Sequence, residues 1–311
     1  MSNATVRHLI STRDLTDADL RALVERGAEF SRGSVRSGDQ LAGLVAGIHF
    51  LQTSTRTRTS FSSAALRLGA QLVSFGPGDL QTNTGETLED TAEVLSRMLD
   101  LLVVRTAGDP AELRAFARQD RMAVVNAMTA DEHPTQAIAD LTTMLTHFGR
   151  VEGLRVCYVG EGNNSAAALA LTLSRYPDVQ LELRTPPGYG LDPGTLRQAQ
   201  HNARASGARV SETHSMASPP QGVDVIYTTR WQTTGTSKPD PGWRDVFAPF
   251  QVTTALWDRS PDAVFLHDLP AHRGEDVTAE VLDGPHSLAF DQSENKMYAA
   301  MAVLEWCVAK R

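Results

Sequence analysis

The sequence predicts an α/β protein of two doubly wound parallel-sheet domains joined by long helices. Three observations carry this. Short β-branched and apolar runs alternate with longer amphipathic stretches along the chain, the pattern of strand–helix–strand units. Most short runs are apolar throughout, as strands covered on both faces must be. The length, 311 residues, matches two domains at roughly 150 residues each.

Taken in order, the first helix is expected from Leu15 to Phe30, where Thr16 and Asp17 suit an N-cap. The strand VAGIHF (45–50) leads to a helix beginning near Ser60, then to the strand QLVSF (71–75). A helix from Glu86 to Leu99 precedes the strand LLVVR (101–105), and a helix from Pro110 to Arg118 precedes MAVVN (122–126). A long helix follows from Pro134 to Phe148. The segment GRVEGL (149–154) marks the domain boundary, dividing 1–149 from 150–292. Further strands are expected at RVCYVG (155–160), VQLELR (179–184), DVIYT (224–228) and AVFLH (263–267). The final helix runs from Ser293 to Ala309 within a C-terminal segment 293–311, with Glu294 in a first turn whose dipole favours an acid. The loop TTRWQTTGTSKPDPGW (228–243) is long and polar. A loop of that length is functional or mobile more often than a plain connector.

The composition, 41% hydrophobic and 21% charged, is that of an ordinary globular protein. The net charge of −8 argues against broad nucleic-acid binding, which needs a basic face, but leaves room for a local basic pocket. Cys157 and Cys307 lie in apolar runs and read as buried free thiols of a reducing compartment. No Cys or His spacing suggests a zinc site. The N-terminal MSNATVRHLI lacks the features of a cleaved leader, and no run approaches a membrane span. A cytoplasmic protein without membrane partners is expected.

Three groups of residues carry chemistry. Ser54, Thr55, Arg56, Thr57, Arg58, Thr59 and Ser60 lie between a strand and a helix start. Hydroxyls, guanidinium groups and the helix N-terminus together favour a phosphate; the competing reading is a hydroxyl-rich cap with a solvated Arg face. In His133-Pro134-Thr135-Gln136, Pro134 fits the first helical position and His133 the N-cap. The dipole there disfavours an imidazolium, so a neutral His133 is able to donate to a developing oxyanion; a structural His is the alternative. Arg105 ends an apolar strand, where a charge meets the ligand crevice of a parallel sheet, or simply leaves it for solvent. Together they read as a site for a phosphorylated substrate with a carbonyl to polarise. There is no GxxxxGK[ST] loop. The turn Val159-Gly160-Glu161-Gly162-Asn163-Asn164 lacks the third glycine of a dinucleotide site.

With STRT at 54–57, Arg105 and HPTQ at 133–136, the chain resembles the ornithine and aspartate carbamoyltransferases. The resemblance extends over nearly the whole chain, through FLHDLPAHRGEDVTAEVLDGP (265–285) and FDQSENKMYAA (290–300). VGEGNN and LPAHRGEDVT look like the ornithine branch, GETLEDTAEVL (85–95) like the aspartate branch. The resemblance implies a first domain for carbamoyl phosphate, completed by the helix 293–311, and a second for the amine acceptor. It implies a homotrimer with sites at subunit interfaces, Gln81 entering from a neighbouring subunit, and no metal or organic cofactor. It assigns Ser54, Thr55, Arg56 and Thr57 to the phosphate, and Thr57, Arg105 and His133 to the carbonyl oxygen. Gln136 would hold the carbamoyl NH2, with Leu269 and Lys296 also on the carbamoyl-phosphate side.

The acceptor side departs from the family. The motif D-x-W-x-S-M-G of ornithine enzymes reads Thr229-Arg230-Trp231-Gln232-Thr233-Thr234-Gly235, so the acid that binds the acceptor's α-ammonium is Thr229, and Ser-Met is Thr233-Thr234. His-Cys-Leu-Pro reads His267-Asp268-Leu269-Pro270, placing a carboxylate beside the reacting amine as ammonium ligand or general base, unless Asp268 pairs with Arg273. The E-N-R motif reads Glu294-Asn295-Lys296, losing the planar fork. Asn164 matches the acceptor-binding Asn. A buried ammonium without its carboxylate loses several kcal/mol. The expectation is therefore a carbamoyltransferase whose amine acceptor is not free ornithine, giving a ureido product and phosphate, with peptide-antibiotic biosynthesis one setting. The alternatives are an ornithine or N-acylornithine carbamoyltransferase of arginine metabolism, and a non-catalytic carbamoyl-phosphate-binding paralogue.

Overall fold

The computed structural model describes residues 6–233 and 235–309. Thr234, an expected acceptor residue, and the chain ends 1–5 and 310–311 lie outside the described residues. The chain clusters into two units: residues up to Thr142 with those from Glu294 on, and Thr143–Ser293.

The first unit holds four parallel strands, β1 (Val45–Phe50), β2 (Gln71–Phe75), β3 (Leu101–Arg105) and β4 (Ala123–Asn126), in the order β2-β1-β3-β4. Helices α1 (Asp17–Ser31), α2 (Arg56–Arg67), α3 (Leu88–Leu95), α4 (Pro110–Phe116) and α5 (Pro134–Phe148) link and follow them. The central strand β3 is buried at every residue, as a run without polar alternation requires. Leu102, Val104 and Val124 pack with Leu95, Leu113 and Phe116 from the flanking helices.

The second unit carries β5 (Arg155–Val159), α6 (Asn164–Leu173), β6 (Gln180–Arg184), α7 (Pro193–Ser206), β7 (Arg209–Thr213), β8 (Val225–Thr228), α8 (Trp243–Phe247), β9 (Val264–His267) and α9 (Ala279–Leu282). Its sheet is parallel in the order β7-β6-β5-β8-β9. The last helix, α10 (Ala289–Val308), begins ahead of the expected Ser293.

Two local expectations are corrected. Helix α2 starts at Arg56, not near Ser60, because Thr55 is already in the right-handed helical region and Ser60 folds its hydroxyl back onto the Thr57 carbonyl at 3.0 Å. Arg56 and Thr57 are therefore in the first turn. The strand β7 was not expected: RVSET alternates and buries one face, as an edge strand does.

Candidate active site

In both sheets the site residues gather where the strand order reverses. From β1 the chain steps outward to β2, whereas β3 and β4 lie on the other side of β1. The carboxyl ends of β1 and β3 thus flank a crevice, the usual ligand site of an open α/β sheet. The pairing of Phe50 with Arg105 puts the STRT segment beside the end of β3, and Leu51 N–H donates to the Arg105 carbonyl at 2.9 Å.

Arg105 is buried, and its Nη1 donates to Thr57 Oγ1 at 3.2 Å. Thr57 is buried with it, Ser54 and Arg56 are half-buried, and Thr55 is exposed. Thr55 stands at the N-cap of α2 and makes no side-chain cap there. His133 precedes Pro134 at the start of α5 and is 4% exposed. Burial first, then the cations of Lys296 and Arg105, holds its imidazole well below the ordinary range. That direction favours the uncharged imidazole, with burial its first cause. Gln136 donates to Asp140 Oδ1 at 2.7 Å and accepts from Lys296 Nζ. Lys296 thus reaches this group from α10. Gln81 stands apart, exposed in a short helical turn where its side-chain oxygen accepts from Thr84. Leu269 lies in the other unit, its N–H bonded to His267 Nδ1 at 2.8 Å.

The second unit repeats the logic. From β5 the order runs to β6 and β7 on one side and to β8 and β9 on the other. Gly160 follows β5 with φ +134, a conformation open to glycine, and turns the chain into Glu161–Asn164. Asn163 caps α6, its Oδ1 accepting from the N–H groups of Ser165 and Ala166. Its Nδ2 donates to Thr229 Oγ1 at 3.2 Å and Thr233 Oγ1 at 3.1 Å. Thr229 in turn donates to Asp268 Oδ1 at 2.9 Å, and Thr233 to Glu161 Oε2 at 3.1 Å. Asn164 is buried at the first position of α6. The partner considered for Asp268, Arg273, is engaged by Asp283 at 3.0 and 2.6 Å. Sequence reasoning missed Asn163, Glu161 and Lys238, whose ammonium pairs with Glu161. The only signal was their place at a strand end and in the long loop.

Cys157 and Cys307 are free and buried, and burial pushes both thiols up to about 12. Among the described residues no helix is long and apolar enough to cross a membrane.

Two parallel α/β sheets, each with polar groups at the reversal of its strand order, define a two-domain α/β protein with ligand crevices at its strand ends, and comparison with known proteins gives its chemistry. Residues 7–146 match the aspartate/ornithine carbamoyltransferase carbamoyl-P binding domain, and residues 152–307 the Asp/Orn binding domain. The chain belongs to the aspartate/ornithine carbamoyltransferase family and is a carbamoyltransferase. It is 38% identical to an ornithine carbamoyltransferase of Gloeobacter violaceus over 95% of this chain and 94% of that one. It is 37% identical to one of Caldicellulosiruptor saccharolyticus over 96% and 97%. The solved structure of the Pyrococcus furiosus ornithine carbamoyltransferase superposes with a TM-score of 0.90 at 34% identity, covering 98% of this chain and 97% of that one.

These comparisons correct the expected acceptor. Relatives this similar over nearly their full lengths are named ornithine carbamoyltransferase, which overturns the expectation of an amine other than free ornithine and, with it, the peptide-antibiotic setting. The physical reason lies between Thr229 and Asp268. The sequence reading treated the carboxylate as moved from one end of the acceptor to the other, but the two positions are one hydrogen bond apart. Asp268 thus stands beside Thr229, the position where the family's acceptor motif carries its acid.

Proposed function

We propose that this protein transfers the carbamoyl group of carbamoyl phosphate to the side-chain amine of ornithine, releasing phosphate. The observation that carries the reading is the Thr229–Asp268 hydrogen bond. It keeps a carboxylate beside the position where the family's acceptor motif has one, so the ammonium of ornithine is compensated despite the altered sequence.

In this reading Ser54, Thr55, Arg56 and Thr57 hold the phosphate, supported by their place at the N-terminus of α2. Thr57, Arg105 and the neutral His133 donate to the carbonyl oxygen as it becomes an oxyanion. Gln136, oriented by Asp140 and Lys296, holds the carbamoyl NH2, and Leu269 is counted with the carbamoyl-phosphate residues. Asp268 receives the α-ammonium, with Asn164, Thr229, Thr233 and Thr234 completing the acceptor contacts. The neutral side-chain nitrogen attacks the carbonyl carbon, the bond from carbon to phosphate oxygen breaks, and the proton shed by nitrogen leaves with phosphate. Phosphate is already a good leaving group, so positioning and oxyanion stabilisation supply the catalysis. A carbamoyl-phosphate domain of residues 1–149 completed by 293–311, an acceptor domain of 150–292, and a homotrimer in which Gln81 enters a neighbouring site belong to the same reading. The exposure of Gln81 supports its part in it. Two free cysteines suit a cytoplasmic setting.

The test is product formation from carbamoyl phosphate and ornithine, N-acetylornithine or putrescine, followed by mass. Ornithine is expected to give the ureido product most efficiently. Turnover only with acceptors whose α-amine is blocked would defeat the proposal.

A further inference from the structure

The loop after β8 carries Lys238, whose side chain is 4% exposed. A buried ammonium has to be compensated, and here the compensation comes from several directions. Glu161 pairs with it. The nitrogen lies 4.8 Å from the Tyr189 ring centre, 5.0 Å from Phe247 and 5.6 Å from Trp243, within cation–π range of each. Trp231 closes the box, 5.6 Å from Phe247 and 6.5 Å from Trp243.

The box draws on four separate pieces of chain. Glu161 comes from the turn after β5, Tyr189 from the segment before α7, Trp231 from the loop itself, and Trp243 and Phe247 from α8. Gly162 ties two of them together. Its N–H donates to the Tyr189 carbonyl at 2.8 Å, and a Cβ there would collide with the Gly190 backbone. Rings around one carboxylate form a site suited to an alkylammonium ion, and its occupant is the protein's own lysine. The same Glu161 accepts from Thr233, which accepts from Asn163, which also donates to Thr229. Lys238 therefore acts on the acceptor residues through Glu161.

We propose that this cage is an alkylammonium-binding site filled from within by Lys238, and that filling it makes Lys238 a positioning residue for the acceptor loop. The positioning part rests on the acceptor role proposed for Thr229, Thr233 and Asp268. With Lys238 truncated, the cage takes a free primary alkylammonium ion of the missing length.

The experiment compares Lys238→Ala, Lys238→Met and Lys238→Arg with the unmodified enzyme. Lys238→Ala is expected to raise KM for ornithine about tenfold, the loss of roughly one charge-assisted contact, and to leave KM for carbamoyl phosphate unchanged. Propylammonium, which replaces the deleted atoms, should restore the ornithine KM, and propan-1-ol of the same shape should not. Lys238→Met keeps the volume without the charge; its KM should rise without rescue, while Lys238→Arg stays near the unmodified enzyme. A second readout needs no turnover. Propylammonium should change the tryptophan fluorescence of Lys238→Ala saturably and leave the unmodified protein unaffected. An unchanged or lowered ornithine KM, equal rescue by propanol, or no saturable fluorescence change would overturn the proposal. If the unmodified enzyme did not use ornithine, the proposed function would fail, and the fluorescence titration would still decide the cage.

Discussion

Arg105 Nη1 reaches Thr57 Oγ1 across 3.2 Å, joining the last residue of β3 to the first turn of α2. The bond draws a buried cation and a helix N-terminus to one point, the point where the proposed reaction puts charge on the carbonyl oxygen. Arg105→Ala should lower kcat by about 10²–10³-fold, the usual cost of one oxyanion donor. Arg105→Lys should recover only part of it, because the guanidinium fork is lost. Steady-state kinetics with carbamoyl phosphate varied would check this; unchanged kcat in the alanine variant would remove Arg105 from the chemistry.

His133 gives a dependence on pH with a definite sign. Burial holds its pKa below the ordinary 6.5, so the unfolded chain takes up a proton there before the folded one does. Its effect is absent above about pH 6.5 and costs stability as pH falls below it, by at most about 1.4 kcal/mol per pH unit. His133→Gln should therefore flatten the fall in denaturation midpoint between about pH 6.5 and 5. The imidazole itself should show no titration by NMR between about pH 6 and 8. A His133 titration inside that range would contradict its role as a neutral donor.

Cys157 and Cys307, with thiols pushed up to about 12, should resist a thiol-reactive disulfide at neutral pH in the folded protein. Both should react once it is unfolded. Rapid labelling of the native protein would show that one of these sites opens.

Much of the fold was legible because parallel strands write themselves plainly. Val45–Phe50, Gln71–Phe75 and Leu101–Arg105 have the bounds that their apolar runs suggest. What failed was local or three-dimensional. The β7 strand, last in its sheet, alternates because only one of its faces is buried, so it did not resemble the buried runs. The start of α2 was misplaced because serine and threonine serve equally well as caps and in a first turn. On the carbamoyl-phosphate side, residue types at strand and helix ends pointed to a chemistry by themselves. On the acceptor side they misled, since Thr229 and Asp268 are far apart in sequence and their contact exists only once β8 and β9 pair as neighbours. The Lys238 cage was invisible for the same reason. A single lysine in a loop between Trp231 and Trp243 reads as a solvated charge until the rings close around it.

The most direct test of the central claim, that the acceptor carboxylate has moved by one hydrogen bond and not disappeared, is to move it back. Asp268→Cys alone should raise KM for ornithine by about 10- to 100-fold, the loss of one charge-assisted contact to an ammonium, with KM for carbamoyl phosphate unchanged. Adding Thr229→Asp to that variant returns the charge to the position that the family motif gives it, and should restore most of the ornithine KM. If the double variant is no better than Asp268→Cys alone, or if Asp268→Cys leaves ornithine turnover untouched, the carboxylate of Asp268 does not receive the acceptor and the account is wrong.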